Sequence, residues 1–150
     1  MRIYVGYDTR EDLAYQVCKY SIHRKNKKVE VIPLKLSTMR ELGIYTRDVD
    51  KKASTEFTFS RFFVPYLMDY QGHALFVDCD FLFLSDPAEL FALADKDKAV
   101  QVVKHDYTPK STVKMDGKKQ TVYPRKNWSS CVLWNCGHPM NMRLNLRNLN

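Results

Sequence analysis

One segment constrains this chain more than any other: Ala74-Leu75-Phe76-Val77-Asp78-Cys79-Asp80-Phe81-Leu82-Phe83-Leu84, an apolar run broken by two carboxylates. Residues 74–77 read as a buried central strand that stops at Asp78. Two unpaired carboxylates inside such a strand would cost several kcal/mol. They are tolerated if they emerge at the strand end, if a cation neutralises them, or if one pairs with an arginine. Hard carboxylate oxygens suit Mg²⁺ or Mn²⁺, and open α/β sheets bind ligands at the carboxyl ends of their strands. Asp78 and Asp80 are therefore the candidate metal ligands.

The flanking pattern alternates strand and helix. Ile3-Tyr4-Val5 is a short β-rich run ending at Gly6, and Thr9-Arg10-Glu11-Asp12 resembles a helix start with Thr9 as N-cap. Leu13, Ala14, Val17, Cys18 and Ile22 then recur at helical spacing, which predicts an amphipathic helix over 10–24. Val29 to Pro33 is the next strand, and strand–helix–strand points to an α/β fold with a parallel sheet. Residues 34–57 carry only weak periodicity, so loop and short helix are expected. Phe59, Phe62, Phe63, Tyr66 and Tyr70 form a second helical stripe, limited or kinked by Pro65 and read as core rather than a ligand box. Asp86-Pro87 opens a short helix through Leu93, Ala99 to Val103 reads as a buried strand, and Ser130 to Trp134 as the last one.

The totals agree with one globular domain over 1–150. Hydrophobic residues make up 45% of the 150, enough for a real core, and no run approaches the length needed to span a bilayer. The N-terminal apolar stretch is too short for a secretory signal, so a cytoplasmic protein is expected. Cys18, Cys79, Cys131 and Cys136 read as buried thiols; a zinc site at Cys131 and Cys136 would lack a second cysteine pair. The net charge of +7 comes in short groups such as Arg24 to Lys28 and Lys118-Lys119. It is expected to be a solvated basic surface, with peripheral contact to an anionic membrane or acidic acceptors as the alternatives.

Several strand-edge polar groups accompany the aspartate pair. Tyr7-Asp8-Thr9 follows the first strand, where a carboxylate can take a base or ribose donor and a tyrosine can stack. Arg61, alone in Phe57-Thr58-Phe59-Ser60-Arg61-Phe62, can pair with Asp78 or with a phosphate, or can snorkel at the surface. Asp106 ends the next strand, and Asn127, Ser129 and Ser130 precede the last one.

The segments Val5-Gly6-Tyr7-Asp8, Thr58-Phe59-Ser60-Arg61-Phe62, Leu75 to Asp80 and Trp128 to Asn135 resemble the GT-A glycosyltransferases of the glycogenin and lipopolysaccharide galactosyltransferase type, family 8. The resemblance implies a Rossmann-like nucleotide-sugar-binding domain with a central, mostly parallel sheet flanked by helices. It also implies a UDP-sugar donor, Mn²⁺ as metal, and a glycan or lipid-linked hydroxyl as acceptor. By that likeness Asp78 bridges ribose and metal, Asp80 ligates the metal, and Asp8 contacts the nucleotide. Arg61 would touch the donor, and Asp106 with Ser129 and Ser130 the sugar or acceptor. Trp128-Ser129-Ser130 stands where the family carries an Asn-Ala/Ser-Gly run, with Asn127 one place early. The family's third metal ligand is a histidine in a C-terminal segment that Asn150 precedes, so the chain is expected to lack the family's C-terminal part.

Three other readings compete. A catalytically inactive nucleotide-sugar-binding domain needs the same residues. A haloacid-dehalogenase-type phosphatase also uses two aspartates after a strand, but near the N-terminus and followed by Thr or Val, where this chain has Phe81. A basic nucleic-acid-binding module would explain the charge but leave the carboxylate pair without a role.

Overall fold

The computed structural model describes residues 1–48, 50, 53–105 and 128–150. Asp106 and Asn127 lie outside the described residues. Among the described residues the α-helices and strands are, in chain order, β1 (Arg2–Gly6), α1 (Asp12–Lys25), β2 (Glu30–Leu34), α2 (Leu36–Glu41), α3 (Val64–Leu67), β3 (His73–Val77), α4 (Ala88–Phe91), β4 (Val100–Val102), β5 (Cys131–Asn135) and α5 (Leu146–Leu149).

The sheet has the order β2-β1-β3-β5-β4. β1 lies parallel to both β2 and β3, while β5 runs antiparallel to β3 and to β4. Among the described residues, four strands thus point one way and β5 opposes them. Ile3, Tyr4 and Val5 are buried, as are Ala74 to Val77, which is why these strands are continuous apolar runs rather than alternating ones. Because β5 is reversed, the carboxyl ends of β1 and β3 share one sheet edge with the amino end of β5. That edge carries Tyr7-Asp8-Thr9, Asp78-Cys79-Asp80 and Trp128-Ser129-Ser130.

Three local expectations need correction. The N-cap at the first turn is Asp8, not Thr9: its side chain accepts from Arg10 N in a 3₁₀ turn over Thr9–Glu11 that precedes α1. The buried face of α1 is Tyr15, Cys18, Ser21 and Ile22, whereas Leu13 and Val17 are 79% and 48% exposed. An apolar count cannot see that a serine belongs inside: Ser21 Oγ donates to Cys18 O and accepts from Phe83 N, pinning the chain beyond Asp80 to the helix. β4 is not a buried strand either: among the described residues it pairs with β5 alone, and Val100 is 38% exposed.

The aromatic stripe is a 3₁₀ turn at Ser60–Phe63 running into the short α3, whose first turn holds Pro65. A tight turn with Asp69, Tyr70 and Gly72 at positive φ ends it before β3. At Gly6 the absence of a side chain is structural: a Cβ there would lie 2.6 Å from the Phe57 ring. The ring therefore seats directly on the end of β1 and brings residues 54–57 over that edge. All four cysteines are free thiols, three buried and Cys131 half-buried.

Candidate functional site

Asp78 is the first residue past β3, and its backbone N–H donates to Ser130 O at 2.9 Å, one step beyond the β3–β5 ladder. Its carboxylate oxygen Oδ1 lies 3.2 Å from Arg61 Nη1. The contact is an ion pair with poor hydrogen-bond alignment, since Oδ1 is buried and has no hydrogen-bond partner among the described residues. Arg61 is buried, so it does not snorkel. Its Nη1 donates to Ser129 O and its Nε to Phe57 O, while the guanidinium plane packs 4.9 Å from the Phe76 ring centre and 5.5 Å from that of Phe57. One planar cation thereby ties the aromatic turn, the β3 end and the residues before β5 together.

The electrostatics of the pair are unbalanced. Burial pushes the Asp78 carboxyl up to about 6; Arg61 opposes this, and the neighbouring charges of Asp80 and Glu11 add to it. Asp80, two residues on, is exposed. A carboxylate short of positive charge beside an exposed second one is the donor chemistry a divalent oxygen-seeking cation relieves, so the residues present fit such a group. Among the described residues no three His, Cys, Asp or Glu side chains converge closely enough to cage a metal.

The β1 end is organised differently. Asp8 is fully buried and both its oxygens are engaged: Oδ1 accepts from Arg10 N and Arg10 Nε at 3.0 Å each, Oδ2 from Arg10 Nη2 at 2.8 Å and Glu56 N at 3.1 Å. These hydrogen bonds, Arg10 foremost, hold the Asp8 carboxyl down to about 2. Tyr7 donates its hydroxyl to Asp12 at 2.7 Å, meets Tyr15 edge-on, and has Lys35 Nζ 4.6 Å above its ring. Thr9 Oγ1 donates to Glu56 at 2.6 Å.

Arg61, Asp78, Ser129 and Ser130 thus form one connected group, with Asp80 beside it. The two serines take part through their backbone carbonyls. Tyr7, Asp8 and Thr9 stand at the adjoining strand end, already held by protein partners. Arg10, Glu11 and Glu56 were not expected. Glu11 accepts from the Cys79 thiol at 3.0 Å, and Arg10 and Glu56 hold Asp8. The helix-start pattern named residues 9–12 as a cap but not as a bridge to position 79, 68 residues away.

A cleft of about 280 Å³ opens beyond Arg10 and Glu56, lined also by Arg40, Tyr45 and Phe59. A second, apolar groove of about 460 Å³ lies along Phe81–Leu84 and Leu93. Neither is lined by Asp78 or Asp80, which lie at the end of β3.

The chain is similar to known proteins over most of its length. The family described as glycosyl transferase family 8 matches residues 3–140. Protein CDI of Arabidopsis thaliana is 60% identical over 144 residues, covering 95% of this chain and 56% of its own length. The chain therefore spans little more than half of that relative. Among solved structures, the apo form of the bifunctional glycosyltransferase WbbM superposes with a TM-score of 0.59 at 16% identity, over 91% of this chain and 31% of WbbM. The galactosyltransferase LgtC, solved with donor and acceptor sugar analogues, superposes with a TM-score of 0.52 at 11% identity, over 91% of this chain and 58% of LgtC.

Proposed function

The chain belongs to glycosyl transferase family 8, and from that premise we propose that it transfers a sugar from a UDP-linked donor to a glycan or lipid-linked hydroxyl. The fold is GT-A, and the sheet edge where strand ends converge is where such a fold carries its ligand. The observation that carries the reading is the Arg61–Asp78–Asp80 group at the end of β3: one under-compensated carboxylate, one exposed carboxylate and one buried cation.

In this reading Asp78 and Asp80 hold Mn²⁺ or Mg²⁺, which supplies charge neutralisation for the donor's diphosphate. The bond from the anomeric carbon to the phosphate oxygen breaks, and the diphosphate keeps the electron pair. The acceptor oxygen bonds the same carbon, and its proton passes to the departing diphosphate. Arg61 keeps Asp78 oriented and shares its charge between carboxylate and donor. Tyr7, Asp8 and Thr9 face the nucleotide; Asp8 reaches it by exchanging the Arg10 guanidinium for a ligand donor. Asp106, Asn127, Ser129 and Ser130 are assigned to the sugar and acceptor side.

Among the described residues no helix is long and apolar enough to cross a membrane, and contact with an anionic membrane stays part of this proposal. The phosphatase and nucleic-acid readings have no support from the family.

The test is a thermal-shift panel of UDP and UDP-sugars, with and without Mn²⁺. UDP with Mn²⁺ is expected to raise Tm, and Asp80→Ala to remove the metal-dependent part. No shift with any UDP compound, or an unchanged shift in Asp80→Ala, would refute the proposal. Binding without transfer to any acceptor would mark the inactive-domain alternative.

A further inference from the structure

The residue between the two aspartates has its own partner. Cys79 is only 1% exposed, and its Sγ donates to Glu11 Oε2 at 3.0 Å. Beside an ionised carboxylate, which only accepts, the thiol is the donor of the pair. Glu11 is held from its other side as well: its N–H donates to Asp8 O at 2.9 Å, closing the 3₁₀ turn in front of α1. The turn that carries Asp78 and Asp80 is thereby tied, through the side chain between them, to a third carboxylate on another element.

Resting on the cation role proposed for Asp78 and Asp80, we propose that Glu11 is a positioning residue of the cation site, fixed there by the Cys79 thiol. It adds a third negative charge beside the pair. It acts through its field and not as a ligand, consistent with no three such side chains caging a metal among the described residues. Through Cys79 its carboxylate stands against the turn that carries both aspartates. Removing Glu11's charge therefore weakens the attraction for a divalent cation without removing either aspartate.

The experiment measures Mn²⁺ affinity in the presence of UDP, by the electron paramagnetic resonance signal of free Mn²⁺, on the full chain. Glu11→Gln keeps a hydrogen-bond acceptor for the thiol while deleting the charge, so its metal-free Tm should match wild type. Its Mn²⁺ affinity should fall about five-fold, the order expected when one carboxylate charge near a divalent cation is lost through a water-like dielectric. That gap should narrow at high salt, which a purely structural role would not produce. Cys79→Ser, whose hydroxyl still donates, should keep wild-type affinity, whereas Cys79→Ala should fall toward Glu11→Gln. The double variant Glu11→Gln with Cys79→Ala should be no worse than Glu11→Gln alone. If wild type binds Mn²⁺ with UDP and Glu11→Gln binds it equally well, the inference is overturned while the proposed function stands. If Cys79→Ala binds like wild type, the thiol's positioning role is overturned. If wild type binds no Mn²⁺ under these conditions, the cation role itself fails and takes the inference with it.

Discussion

Two aspartates at neighbouring strand ends are held in opposite electrostatic states, and the difference lies in their donors. Asp8 receives four N–H groups and sits well below the usual carboxylate range, at about 2; Asp78 is desolvated with one poorly aligned arginine and sits at about 6. Because its folded-state value is depressed, Asp8 contributes stability that is present above its unfolded value near 4 and lost as pH falls through about 2. Asp78 has the reverse sign: its contribution is complete below about pH 4 and disappears as pH rises through about 6. We expect Asp8→Asn to lower stability at pH 7 by about 2 kcal/mol and to cost progressively less as pH falls toward 2. Urea midpoints of wild type and variant between pH 2 and 7 check this. A cost independent of pH would show that Asp8 matters for shape and not for charge.

At the scale of elements, β1, α1 and β3 arrive at the site through contacts that local pattern only partly encodes. The strands were legible because strands buried on both faces read as unbroken apolar runs, as Ile3 to Val5 and Ala74 to Val77 do. The face of α1 was not, because its inner positions include Tyr15, Cys18 and Ser21 while Leu13 and Val17 point to solvent. Gly6 shows how an element end can depend on a distant ring. Gly6→Ala would drive a methyl into Phe57, which is 3% exposed and has little room to retreat. The expected cost is about 1–3 kcal/mol, seen as a lower urea midpoint at unchanged slope. Phe57→Leu in the same chain should recover part of it, since the smaller side chain relieves the overlap. An additive loss in the double variant would place the strain elsewhere.

For the whole molecule, the aspartate pair and the Arg61 partnership were visible in sequence because a charge inside an apolar segment demands a partner, and few were on offer. The roles of Glu11 and Glu56 were not, since their partners Cys79 and Asp8 lie tens of residues away in the chain. Those long-range ties make the edge, and with it the site, a property of the complete sheet. The thiols give a direct measure of this. Cys18 lies in α1, Cys79 after β3 and Cys136 after β5, each at most 1% exposed; burial pushes Cys18 and Cys136 up to about 12 and Cys79 higher still. Half-buried Cys131 lies at the start of β5. In the native protein at pH 8, an aromatic disulfide reagent should modify Cys131 first and the other three far more slowly. If the core opens as one cooperative unit, those three should react at a common rate that rises together with urea. Mass spectrometry of the labelled peptides separates the sites. Early labelling of Cys79 alone, ahead of Cys18 and Cys136, would mean that the turn carrying the aspartates opens independently of the sheet.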